Sequence, residues 1–162
     1  MRFATALLLA LCVAGCDSVG SDVPPGPTPS ARPWAEMLDA VNAARADGQT
    51  CGPTLFPPAP PLVWNDRLET AATRHTADMA DHEHFDHTGT DGSEPGERAT
   101  RAGYSWRVVG ENIARGQPDV EEVVSDWLAS PGHCRNLMDS RFAEMGAAEQ
   151  GAYWTQVFGL AR

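Results

Sequence analysis

The chain is 162 residues long, about the length of one domain, and its 22 acidic residues outnumber its 12 basic ones to give a formal net charge of −10. The basic residues are scattered along the sequence, which excludes a nucleic-acid partner, because neutralising phosphates takes a clustered basic surface. The acidity itself argues for solubility.

The first stretch reads as an export signal. Arg2 supplies a positive start, and 3–13 is an apolar run too short for a stable membrane span. It ends at Val13-Ala14-Gly15-Cys16, small residues before a cysteine in the pattern of a bacterial lipobox. Residues 1–15 are therefore expected to be a lipoprotein signal peptide and Cys16 the lipidated first residue of the mature chain. An ordinary cleavable signal with a coincidental cysteine is the alternative. Two acyl chains on Cys16 would hold the protein firmly to a membrane. Residues 16–33 carry prolines at 24, 25, 27, 29 and 33 among Ser, Gly and Thr, a composition that extends and builds no core. This is a tether, and 34–162 is the folded domain, expected to be a monomer.

Trp34, Met37, Leu38 and Val41 share one face at helical spacing before Gly48, which predicts a first helix over 34–46. Proline-rich 50–61, with Cys51, is expected to be an ordered surface loop. A second helix follows from Asn65 or Asp66 to about His84, with Asp66 and Glu69 at capping-box spacing and Leu68, Ala72, His75, Met79 and His82 in a stripe. His75 and His82 lie about two turns apart, roughly 10 Å, too far to share an ion, so a structural or surface role is expected of both. His82-Glu83 resembles the start of a zinc-protease His-Glu-x-x-His helix, but position 86 is Asp and the motif fails.

Pro95 and Gly103 bracket a short third helix over about 94–102. Residues 104–109 are aromatic and β-branched and predict a strand running into Glu111. A fourth helix opens at Asp119, with Glu122 at capping-box spacing, and buries Val120, Val123, Val124, Trp127 and Leu128 until Pro131-Gly132 breaks it. The runs 142–149 and 152–160 predict a closing antiparallel hairpin.

Glu111 stands beside Ile113 and Ala114 and just after Val108 and Val109, where a buried carboxylate without partners would cost several kcal/mol. His87, in the polar run 86–93, and His133, in Ser130-Pro131-Gly132-His133-Cys134, are the expected partners, both on irregular backbone. Cys51 and Cys134 are the cysteines left in the exported domain and are expected to pair. Their bridge would close a loop of over 80 residues, worth on the order of 4 kcal/mol in the chain-entropy model. The rival reading makes Cys134 a nucleophile with His133 as its base, against the geometry of adjacent residues.

Taken together, His87-Thr88-Gly89-Thr90-Asp91-Gly92-Ser93, Ala102-Gly103-Tyr104, Gly110-Glu111-Asn112-Ile113-Ala114, Trp127-Leu128-Ala129-Ser130-Pro131-Gly132-His133 and Tyr153-Trp154-Thr155-Gln156-Val157-Phe158-Gly159 resemble a known family. In order and spacing, across about 34–162, they are similar to the bacterial CAP domain, also called the SCP-like extracellular domain. The resemblance implies an α/β fold, a three-layer α-β-α sandwich with a central antiparallel sheet, and a cleft lined by histidine and glutamate. In the wider family that cleft holds two histidines and two glutamates. His87 matches the first histidine and Glu111 the glutamate of the Gly-Glu-Asn-Ile motif. Eukaryotic members carry a glutamate where this chain has Ser130 and a histidine where it has Trp154, whose indole ligates no metal. His133 is placed to occupy the vacated volume and complete a His87, Glu111, His133 cluster.

Two histidines and a carboxylate suit a site for zinc or another divalent cation with an open position. They suit equally a metal-free network in which Glu111 accepts hydrogen bonds from both imidazoles. Glu144 and Asp91 are candidate fourth members, with a solvated surface acid as the alternative for each. No Gly-x-Ser-x-Gly elbow or complete His-Glu-x-x-His is present, and the resemblance implies no single reaction. The expectation is a lipid-anchored module of the cell envelope, periplasmic or surface-exposed, that binds through its His/Glu cleft. Some relatives bind sterols or other lipids, so a small hydrophobic ligand is one candidate and an envelope polymer another. The alternative is a hydrolase in which a divalent ion on His87, Glu111 and His133 activates water.

Overall fold

The computed structural model describes residues 34–162, so the expected signal peptide, the tether and Cys16 lie outside the described residues. The elements run α1 (Ala35–Asp47), β1 (Gln49–Cys51), β2 (Thr54–Phe56), β3 (Val63–Trp64), α2 (Asp66–Asp81), α3 (Pro95–Arg101), β4 (Trp106–Arg115), α4 (Val120–Ala129), α5 (Pro131–Met138), β5 (Glu144–Gln150) and β6 (Tyr153–Ala161). The main sheet has the order β3-β5-β6-β4 and is antiparallel except for the short pairing of β3 with β5. β1 and β2 form a separate antiparallel pair.

Alternation along the strands divides their side chains between two layers. Glu111 and Ile113 of β4, opposite Val157 and Thr155 of β6, face α2 and α3. There Leu68, Ala72, Ala99, Tyr104, Ala148 and Val157 form one buried cluster. Ala114, Trp154 and Phe158 face the other way, into a larger core closed by Met37 and Val41 of α1, Val123 and Trp127 of α4 and Leu137 of α5. Each of the Val, Leu, Met and Phe side chains here contributes roughly 1.5–3 kcal/mol on full burial. The result is the three-layer α-β-α sandwich. The approach of α2 to β5 depends on Gly146, where a Cβ would lie 2.1 Å from the Glu69 amide nitrogen.

The described helices and strands differ locally from the sequence expectations, each time for a readable reason. The 50–61 stretch contains the β1–β2 pair, turned by Gly52 at φ 62°. α2 stops at Asp81, short of His84, and Glu83 just beyond it adopts a left-handed backbone, φ 51°. Its N-cap is Asn65, whose side chain accepts from the Arg67 and Leu68 amides. The strand expected over 104–109 runs on to Arg115 and places Glu111 in mid-strand.

Pro131 ends α4 yet also opens α5, because proline lacks only an amide that a first turn leaves free and already has a helical φ. His133 accordingly stands on a helix, not on irregular backbone. Cys51 and Cys134 are joined in a disulfide, Cα atoms 5.4 Å apart, which ties β1 to α5 and overturns the nucleophilic reading of Cys134.

Candidate functional site

β4 is the outer strand of the sheet, and its alternation turns Glu111 toward α2 and α3, where the residue is only 6% exposed. Three side chains meet its carboxylate. Arg98 of α3, itself buried, donates from Nη2 to Oε2 at 2.7 Å. His87 donates from Nδ1 to Oε1 at 2.8 Å. His75 of α2 brings Nε2 to 3.7 Å from the same oxygen. Both carboxylate oxygens are therefore engaged, which answers the desolvation of a charge in the interior.

Arg98 does more than neutralise Glu111. Its Nη1 donates to the Ser93 carbonyl and its Nη2 to the His87 carbonyl, so it fixes the backbone of His87 while Glu111 fixes the ring. Hydrogen bonds from His84 Nε2 to the Thr88 carbonyl, and from the Thr90 amide to Asp78, hold the rest of the loop. His75 Nε2 lies 3.0 Å from the Asp86 carbonyl. A carbonyl only accepts, so this contact assigns the Nε2–H tautomer and leaves Nδ1 buried without a protein partner.

The electrostatics separate the histidines. The hydrogen bond to Glu111 raises the pKa of His87 above the ordinary imidazole value, against a smaller effect of desolvation. Burial lowers the pKa of His75, with Glu111 pulling the other way. Burial lowers that of His133 as well, and positive charge on His87 adds to the effect. The His87 side chain is 48% exposed, and with Nδ1 committed to Glu111 its Nε2 lies on the far side of the ring.

His133 is half-buried on α5, the layer opposite the Glu111 side chain, and its imidazole makes no hydrogen bond or ion pair with Glu111 among the described residues. Its carbonyl accepts from Asn112 Nδ2 at 3.3 Å, and Asn136, three residues on, donates to the Glu111 carbonyl and to Asn112 Oδ1. Arg98 and His75 take the place expected for His133 around the carboxylate. Trp154 fills its own volume in the α1–α4 core, with Nε1 donating to the Gln117 carbonyl and its ring against Trp34, so no space beside Glu111 is vacated there.

Glu144 and Asp91 also stand apart. Glu144 accepts from Asn65 Nδ2 and the Tyr104 hydroxyl. Asp91 accepts from the Ser93 amide and the Arg101 guanidinium at the surface, contacts that hold its carboxyl below the usual range. No three His, Cys, Asp or Glu side chains among the described residues gather as a metal requires. With Arg98 against Glu111 opposing a cation, the residues do not fit zinc or another divalent ion on His87, Glu111 and His133.

Two members of the cluster were not expected from the sequence. His75 shares a helical stripe with Leu68, Ala72 and Met79, a pattern that already turns it inward. Arg98 carries no such mark beyond its place next to buried Ala99. Gly110 serves packing, since a Cβ there would lie 2.6 Å from the Phe142 ring.

Residues 38–158 match the family model described as CAP, the Cysteine-rich secretory protein family. The chain belongs to this family. The CAP region is 37% identical over 100 residues to YkwD of Bacillus subtilis, covering 60% of this chain and 39% of that protein. It is 29% identical over 97 residues to the Bacillus subtilis membrane protein YlbC, covering 60% of this chain and 28% of the relative. The chain thus spans well under half the length of these curated relatives. An extracellular SCP-domain protein of Bacillus anthracis superposes with TM-score 0.67 at 27% identity, over 76% of this chain and 39% of that one. An outer surface protein of Borrelia burgdorferi superposes with TM-score 0.61 at 19% identity, over 80% of this chain and 96% of that one, a likeness of fold. No helix among the described residues of this CAP domain is long and apolar enough to cross a membrane.

Proposed function

We propose that this CAP domain is an exported, lipid-anchored binding module whose cleft at His87 takes a component of the cell envelope, a small hydrophobic molecule or an envelope polymer. The observation that carries the reading is the commitment of Glu111. A carboxylate held by Arg98 on one oxygen and His87 on the other is a scaffold, not a free base or nucleophile. What it supports is a half-exposed imidazole on a pinned loop, with half-buried His133 near enough to sense its charge. A few fixed polar groups at a rigid rim orient a ligand without requiring turnover. Arg2, the apolar run 3–13 and Cys16 support export and anchoring, and the extracellular description of the Bacillus anthracis relative agrees with it. A metal-dependent hydrolase draws no support from this donor set.

The test is imidazole NMR on the full chain, titrated separately with dihexanoyl phosphatidylglycerol and with soluble muropeptides. The expected result is a saturable shift of the His87 and His133 signals with one probe, lost in His87→Ala. Cleavage of the muropeptide that depends on His87 would replace binding by catalysis. Unmoved signals with both probes would remove these two ligand classes.

A further inference from the structure

All twelve basic residues are arginines. Three of them, Arg107 on β4 and Arg135 and Arg141 in and just after α5, are exposed and surround two adjoining grooves. One groove, about 420 Å³, lies between the proline loop and α5, with Phe56, Pro57 and Pro58 on one side and the polar side chains of Arg135, Asn136, Asp139 and Ser140 on the other. The other, about 610 Å³, is walled by Pro60, Pro61, Val108, Phe142 and Leu160. Ser140 and Arg141 form the ridge between them.

This face is held rigid from beneath. Arg45, fully buried, donates to the carbonyls of Pro60, Leu137, Asp139 and Phe142, so one guanidinium fastens the proline loop, the end of α5 and the ridge. The Cys51–Cys134 disulfide fastens β1 to α5 beside it. Among the described residues Arg141 is tied to Asp139, whereas Arg107 and Arg135 form no ion pair. Free guanidinium groups on a fixed frame favour bidentate carboxylate recognition.

We propose that this face docks an extended acidic polypeptide segment of a partner protein, carboxylates on Arg107 and Arg135 and apolar side chains in the two grooves. Charge complementarity selects the sign, since the surface is locally positive on a chain of net charge −10. The accessible apolar surface selects the class: a phosphate or sugar polymer brings charge but nothing to cover Phe56, the exposed prolines, Val108 and Leu160. The chain enters the domain at Trp34, whereas Arg45 stands near the far end of α1, a 13-residue helix about 20 Å long. The face is thus at the end of α1 opposite Trp34. It also borders the Glu111 strand, because Asn136 lines the first groove and donates to the Glu111 carbonyl.

The experiment is fluorescence anisotropy of the full chain with a fluorescein-labelled peptide of alternating Glu, Phe and Pro, and with its Gln-for-Glu counterpart. The acidic peptide is expected to bind saturably at low ionic strength, with at least tenfold loss in Arg107→Glu/Arg135→Glu and no saturation by the Gln peptide. The neutral pair Arg107→Gln/Arg135→Gln, read the same way, serves if charge reversal unfolds the domain. Equal affinity for both peptides, or undiminished binding by a folded variant, overturns the proposal. So does binding of inorganic polyphosphate without the peptide, which assigns the face to an anionic polymer. Sedimentation showing self-association that the double variant abolishes, again without peptide binding, assigns it to a second copy of this chain and overturns the proposal too.

Discussion

Arg98 Nη2 sits 2.7 Å from Glu111 Oε2 in a pair whose two side chains are almost closed to solvent. Breaking such a pair from one side is costlier than replacing it, because the buried carboxylate loses its one buried guanidinium and keeps only the half-exposed His87. Arg98→Met is therefore expected to destabilise the domain by about 3–5 kcal/mol. The double change Arg98→Met/Glu111→Leu should recover much of that loss. Urea denaturation of the three proteins supplies the double-mutant cycle, and a loss under about 1 kcal/mol in Arg98→Met, the level of an exposed pair, would sink the account.

His87 gives the site its pH dependence. Its folded pKa is raised, chiefly by the Glu111 hydrogen bond, so the folded state binds more protons in that window. The stabilisation is complete below the ordinary imidazole value of 6.5 and is lost as pH rises through the higher folded value. His75 and His133 work in the opposite sense: burial lowers both, so stability is lost as pH falls from 6.5 toward their folded values. His87→Gln should abolish the loss on the alkaline side and keep the loss on the acid side. Imidazole NMR titration checks the assignment, and a His87 midpoint below 6.5 contradicts the bond to Glu111.

How much of this was legible in the sequence follows from the range of each signal. Helical stripes, the caps at Pro95 and Asp119, and the final hairpin depend on neighbours within a turn or a strand pair, and these elements were readable. The pairing of Cys51 with Cys134 was readable because few cysteines were left to choose from. The need of Glu111 for partners was equally plain from its apolar neighbours, but the choice among partners depends on which layer each helix occupies. His133 lies near Glu111 in motif order, yet α5 packs on the far face of β4. Arg98 reaches Glu111 only because α3 folds over the near face. That information resides in the register of the whole sheet, which no local pattern encodes. Pro131 misled for the related reason that a helix breaker and a helix starter look alike in sequence.

Reduction of the disulfide should lower stability by a predictable amount. The bridge spans 83 residues, and the chain-entropy model gives on the order of 4 kcal/mol for a loop of that size. A Cys51→Ala/Cys134→Ala variant should show a melting temperature lower by roughly 8–32 °C, at about 2–8 °C per kcal/mol for domains of this size range. Calorimetry with and without reductant reads it out. A wild-type protein whose melting point ignores reductant would mean that the crosslink is absent or energetically idle.

Two glycines offer a paired test of why α2 sits where it does. At Gly146 a Cβ would lie 2.1 Å from the Glu69 nitrogen and 2.5 Å from the Leu68 carbonyl carbon, so the start of α2 rests directly on β5. Backbone atoms cannot step aside as a flexible side chain does, and α2 also carries His75 into the Glu111 cluster. Gly146→Ala is therefore expected to cost at least the roughly 1–3 kcal/mol typical of overpacking. It should also move the His75 imidazole signal in NMR. Gly151 has a positive φ of 64° but nothing within 4 Å of an added Cβ, so Gly151→Ala meets only the backbone penalty, roughly 1–2 kcal/mol. That change should leave the His75 signal in place. Urea denaturation gives the energies, and an unshifted His75 signal in a destabilised Gly146→Ala protein would separate the seating of α2 from the geometry of the site.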